Sequence, residues 1–235
     1  MRKSHRPSLI LVGTVHRDPK GYARLFRFLE RERPALVTVE ISPYSRTFRI
    51  QQSSLIRNTL RENLRRIQKE EGRPLRIILS HSLILGIFFL LKEPFEWRAA
   101  KSYAARYGVL VQDIDLSPFA QDNLAHLSEL IGFKNLRTLL RLNSPSFADL
   151  VESQYSRAGF LFHHPPSIRL IPKAFQEREV YMAKKIRKFA QRINGGKILH
   201  VGGWEHLIDS PEGNLFLGLL KDMQPKRVLL SALEN

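Results

Sequence analysis

Lys197-Ile198-Leu199-His200-Val201-Gly202-Gly203-Trp204-Glu205-His206 is the stretch on which the reading of this 235-residue chain turns. Its apolar run is of strand length, the glycine pair breaks it, and a histidine follows three residues past Gly203. Ser8-Leu9-Ile10-Leu11-Val12-Gly13-Thr14-Val15-His16, near the other end, has the same order. Two strand-then-GxxH units imply two parallel strands whose carboxyl ends each aim an imidazole at one place. Glycine at the start of each unit lets the backbone turn sharply or approach a neighbour closely.

Working outward, the elements between the two units alternate. A helix is expected over about Gly21 to Arg31, with Asp18 as N-cap and Pro19 in the first turn. Ala35 to Glu40 reads as a buried strand ending in a carboxylate, parallel to the first. Ile56, Leu60, Leu64 and Ile67 recur at helical spacing between about Ser45 and Glu71, with Gly72 as C-cap. Leu75 to Leu79 reads as a strand, and a helical region interrupted at Pro94 runs from about His81 to Tyr107. Val109 to Asp115 is the next strand, again ending in acids. Glu177 to Ile193 is an amphipathic helix stopped by Asn194-Gly195-Gly196. After His206, a helix near Asn214 to Met223 and a strand at Arg227 to Leu230 complete the core.

The expected fold is therefore α/β, with a mainly parallel central sheet flanked by helices. Residues 1–116 form a first half, 173–235 a second half completing the same core, and 117–172 a helical insertion suited to cover the strand ends as a lid. At this length roughly 70% of the unfolded chain's surface can be buried in one domain.

Composition narrows the classes. With 43% hydrophobic and 26% charged residues the chain is an ordinary globular protein. The absence of cysteine excludes disulfides and thiolate metal sites, leaving imidazole, carboxylate and water as metal ligands. The basic N-terminus is followed by an apolar run too short for a signal peptide, and Leu83 to Leu91 is too short for a membrane span, so a cytoplasmic protein is expected. The Ile87 to Leu91 stretch reads as core in preference to the surface of a homodimer. The net charge of +16 is the one outlier. Arg57, Arg61, Arg65 and Arg66 interleave with Leu60, Leu64 and Ile67 as the solvated side of an amphipathic helix. Without a zinc-finger, RRM or KH signature, nucleic acid is set aside as a partner.

In open parallel sheets the working groups collect beyond the carboxyl ends of the strands. His16, Glu40, Asp113 or Asp115, and His206 all fall at such ends. Two histidines and one or two carboxylates suit a divalent metal such as manganese, cobalt or zinc, and an open coordination position can activate water.

Six motifs in order resemble the TraB/TIKI family, which shares a clan with erythromycin esterase-like and ChaN-like proteins. They are Gly13-Thr14-Val15-His16, Val37-Thr38-Val39-Glu40 with Arg46, Glu96 before Ala99-Ala100, Asp113-Ile114-Asp115, Glu177-Arg178 with Met182, and Gly203-Trp204-Glu205-His206. The resemblance implies a site built from the two GxxH histidines and the glutamate and, for TIKI-like members, metal-dependent peptide hydrolysis. Carried over by position, His16 and His206 are metal ligands or site bases, and Glu40 is a ligand or general base. Asp113 is a ligand or, like Glu96, a supporting carboxylate, and Arg178 and Arg46 orient these acids or bind an anionic group. The family often has Asp-Arg where this chain has Asp113-Ile114. A small-molecule or peptide substrate follows. The alternative is a non-catalytic pocket for haem, a peptide or another anionic ligand, with His163 and His164 as candidate haem ligands.

Overall fold

The computed structural model describes residues 7–167 and 171–233. In chain order the elements are β1 (Ser8–Thr14), α1 (Gly21–Glu32), β2 (Leu36–Val39), α2 (Pro43–Glu71), α3 (Leu75–Ser80), α4 (Ser82–Leu91), α5 (Phe95–Tyr107) and β3 (Leu110–Asp113). There follow α6 (Ser117–Ala125), α7 (Leu127–Leu130), α8 (Phe133–Leu139), α9 (Phe147–His163), α10 (Lys173–Arg192), β4 (Lys197–Gly203), α11 (Phe216–Leu219) and β5 (Lys226–Leu229). The five strands form one all-parallel sheet in the order β3-β2-β4-β1-β5. This is the α/β architecture with a central parallel sheet read from the sequence.

The period-two alternation of strand side chains divides the core into two layers. Ile10, Val12, Val37, Val39, Leu199 and Val201 face Leu25, Phe28 and Leu29 of α1 and Ala99, Ala100 and Tyr103 of α5. Leu9, Leu11, Leu36 and Ile198 face Met182, Ala183 and Ile186 of α10 and Phe216 and Leu217 of α11. A third cluster is purely helical: Leu60, Leu64 and Ile67 of α2 pack with Ile78, Ile84, Ile87 and Leu91 and with Leu127, Ile131 and Leu136 of α7 and α8 and their connection. Within the Ile87 to Leu91 stretch, Ile87 and Leu91 are buried in this cluster, Phe88 packs against it, Phe89 is half-buried and Leu90 is exposed. No helix among the described residues is long and apolar enough to cross a membrane.

Four local expectations are corrected. Leu75–Ser80 is a helix, because its single fully buried residue, Ile78, docks into the helical cluster while Ile77 stays exposed, and so short an apolar run carries no period of its own. β1 and β2 are parallel but not neighbours, since β4, buried on both faces, takes the central position between them. Asp18 is not the cap of α1, which begins at Gly21; its Oδ1 accepts the Lys20 N–H at 2.8 Å one turn earlier, and its Oδ2 accepts from Arg24 and from the Tyr155 hydroxyl. The helix expected over Asn214 to Met223 shrinks to α11 and a single 3₁₀ turn at Lys221–Met223.

Leu11 lies in mid-sheet with no exposed surface. Leu11→Ala is expected to cost about 2–5 kcal/mol, read as a lowered urea midpoint at unchanged slope.

Candidate functional site

The β1–β4 pairing sets Gly13 opposite Gly202 and Thr14 opposite Gly203, so both GxxH units leave the sheet side by side. On the other flank of β4, the Glu40 N–H donates to Val201 O at 2.9 Å, which places the Glu40 side chain against the same strand end. Its Oε2 accepts the Gly203 N–H at 2.5 Å. Its Oε1 accepts from Arg178 Nη2 and lies 2.9 Å from His206 Nε2 and 3.9 Å from His16 Nε2. The glycine pair is a steric requirement of this arrangement: a Cβ at Gly202 would stand 2.6 Å from Glu40 Oε2, and one at Gly203 2.9 Å from His16 Nε2.

Each imidazole is oriented by a buried carboxylate on its other nitrogen. Glu96, in the first turn of α5, accepts at Oε1 from the Thr14 hydroxyl at 2.8 Å and faces His16 Nδ1 at 2.9 Å. Glu179 of α10 faces His206 Nδ1 with Oε1 and accepts the Phe216 N–H with Oε2 at 2.8 Å. Both Nε2 atoms are thereby turned toward Glu40. Phe175 stacks on His206 with ring centroids 5.4 Å apart, and Phe119 of α6 covers the Arg178 guanidinium at 4.7 Å. The His206 side chain is 4% exposed and that of His16 50%, so a reactant reaches the cluster from the His16 side.

Charge governs the protonation of these groups. Of four buried carboxylates, Glu40 and Asp115 meet the Arg178 guanidinium, and Glu96 and Glu179 back the two imidazoles. Burial opposes a charge on His206, but Glu40 and Glu179 overcome it and raise its pKa to about 10. Desolvation likewise opposes a charge on His16, and Glu96 with Glu40 outweighs it and raises the pKa to about 8. Burial would push Glu40 up, yet His206 and Arg178 hold it well below the usual carboxylate range.

Of the residues singled out in the sequence, His16, Glu40, Glu96, Arg178 and His206 come together. Asp113 and Arg46 do not join them: they pair with each other at 2.8 Å, and Arg46 lies over the Trp97 ring. Asp115 takes the place expected of Asp113. Past β3 the chain continues along β2 through Ile114 N–H to Val39 O and Asp115 N–H to Ile41 O, and Asp115 then accepts from Arg178 Nε at 2.6 Å and Nη2 at 3.0 Å. Glu179 was missed, although it carries a signal: a glutamate on the stripe that continues through Met182, Ala183 and Ile186. His163 and His164 are exposed at the end of α9, where His164 stacks on the exposed Phe160. Of the helices in residues 117–172, α6 supplies Phe119, and α9 supplies Tyr155, whose hydroxyl accepts the Val15 N–H.

Compared with protein-family models, with curated proteins and with solved structures, the chain matches none.

His200 lies under the site, fully buried, with Nδ1 3.0 Å from Thr38 Oγ1; burial lowers its pKa to about 3. Its unfolded form, titrating near 6.5, binds more protons than the native form between these two values, so the stability it contributes is complete above the unfolded pKa and falls as the pH drops through it. Urea titrations at pH 7 and pH 5 should show His200→Gln relieved of an acid penalty of about 2 kcal/mol that the parent chain carries.

Proposed function

We propose that the chain is a hydrolase of TraB/TIKI type, acting on a small molecule or peptide, with a divalent cation such as manganese, cobalt or zinc held by His16, Glu40 and His206. The observation that carries the reading is the convergence of the two Nε2 atoms on Glu40 Oε1, each ring anchored at Nδ1 by a buried glutamate. The donor chemistry fits: imidazole and carboxylate are the ligands such cations take, carboxylate-anchored histidines are the usual supporting shell, and the buried carboxylates outnumber the one guanidinium that touches them. Among the described residues no three such donors stand close enough together to hold an ion, so His16, 3.9 Å from Glu40, would close in on binding. When bound, the cation would polarise the substrate carbonyl and lower the pKa of a water.

The chain's own groups divide the remaining work. Glu96 and Glu179 fix the tautomer and tilt of the rings. Arg178, forked on Asp115, holds Glu40 ionised and in place. Phe175 and Phe119 exclude water from the buried side.

One observation favours a second form of the same reaction. Arg178 occupies Glu40 Oε1 and approaches His206 Nε2 to 3.3 Å, flanking the position a cation would take. In a metal-free form His16, open to solvent and backed by Glu96, takes the proton of the attacking water and returns it to the leaving group.

Elemental analysis of the parent, His16→Ala and His206→Ala proteins, after loading with manganese, cobalt or zinc, separates the two forms. About one equivalent retained by the parent and lost in both variants is the expected result; no metal in any of them, with hydrolysis persisting in chelator, would leave the His16–Glu96 pair as the proton carrier. In that case the rate should rise with pH and level off above about 8, as His16 loses its proton. In either form Glu40→Gln, screened against ester and peptide substrates, is expected to lower turnover roughly 100-fold or more. Unchanged turnover in Glu40→Gln, or no hydrolysis of any substrate by the parent, would remove the hydrolase reading.

A further inference from the structure

Beside the cluster, between the start of α2 and the α4–α5 junction, lies a cavity of about 480 Å³ that begins at Ile41, the residue after Glu40. Five of its ten lining residues are cationic, Arg46, Arg49, Arg57, Lys92 and Arg98, and one, Glu93, is acidic. Arg46 is neutralised by Asp113, and Glu93 faces Lys101 at 3.7 Å. Among the described residues the other four cations form no ion pair with a carboxylate. Arg49 Nη1 donates to Ser45 O at 3.2 Å, and Arg57 donates to Ser53 O at 2.9 Å and to Ser53 Oγ at 3.0 Å. Lys92 and Arg98 lie over the rings of Phe89 and Tyr22.

Two features separate this wall from an ordinary solvated helix face. Arg49 Nε is buried without a hydrogen-bond partner, and burial pushes its guanidinium below its ordinary pKa, opposed only by the field of Glu96. The cations also come from α2, from the α4–α5 junction and from α5, so tertiary packing gathers like charges around one concavity, where they repel unless an anion lies between them. Ser53 Oγ accepts from Arg57 and keeps its own proton for a bound oxygen. Ile50 and Leu91 add an apolar wall.

We propose that this cavity is an anion site for a phosphate group carried on a small molecule with an apolar part. Arg49 and Arg57 supply directional guanidinium donors, Lys92 a mobile ammonium, and Ile50 and Leu91 contact the apolar portion. The site stands apart from the hydrolase reading, and its test measures binding alone.

Inorganic pyrophosphate is titrated calorimetrically into the full chain in EDTA, so that no metal in the His16–Glu40–His206 cluster reports the binding. Saturable binding at one site is expected, weakened roughly tenfold or more in Arg57→Gln/Lys92→Gln, a loss on the scale of one charge-assisted hydrogen bond. Lys184→Gln/Lys188→Gln, which removes the same charge from the exposed side of α10, should bind as the parent does. Arg49→Gln, with its fold checked by circular dichroism, should also weaken binding. Absence of saturable binding, equal weakening in both double variants, or binding of a single-stranded oligonucleotide with none of pyrophosphate would overturn the proposal, the last result marking a nucleic-acid surface instead.

Discussion

Parallel in-register pairing of β1 with β4 is the constraint on which the rest of the site depends. It sets Gly13 beside Gly202 and releases His16 and His206 at one edge of the sheet. A slip of one residue would turn Leu9 and Leu11 toward α1 and α5, exchanging the two core layers and moving both histidines off Glu40. Pairing of β2 on the far side of β4 then fixes Glu40 against the Gly203 N–H. Backbone hydrogen bonds thus carry much of the precision of the cluster, and the doubled glycine gives the side chains room to meet.

Electrostatics shape the region in two opposite ways. Around Glu40, buried carboxylates outnumber the one guanidinium that touches them, and the deficit is met by protons on His16 and His206 or by a bound cation. Burying so much charge is tolerable only because each carboxylate accepts hydrogen bonds or meets an opposite charge, as Asp115 does from the Arg178 fork and Glu179 from Phe216. A few residues away the sign reverses, where Arg49, Arg57, Lys92 and Arg98 line one concavity. The large net charge of the chain therefore has local structure and is not a uniform coat.

Much of the fold was legible because its strands are short apolar runs with clear stops. Ser8 to Val12, Ala35 to Val39 and Lys197 to Val201 each end at a glycine or a carboxylate, and α10 shows its buried face at 3.6-residue spacing. Leu75 to Leu79 misled because a five-residue apolar run fits a strand or a helical turn equally well, and only its packing against α2 and α4 decides. Of the cluster, His16, Glu40, Glu96, Arg178 and His206 could be named in advance, the histidines by the repeated GxxH order, Glu40 by its place at a strand end, and Glu96 and Arg178 by the resemblance. Asp113 could not be told from Asp115, because two acids flanking one isoleucine look alike until Ile114 is buried and Asp115 is swung onto Arg178.

By itself the sequence determined most of the element types, the parallel character of the sheet and the placing of acids and imidazoles at strand ends. These follow from local periodicity and from short-range breaks in it. Only the tertiary structure decided that β4 separates β1 from β2, that Glu179 stands behind His206, and that four cations converge on one cavity. Each of those outcomes depends on contacts between residues far apart in the chain, where burial and charge are settled by neighbours that no local pattern can name.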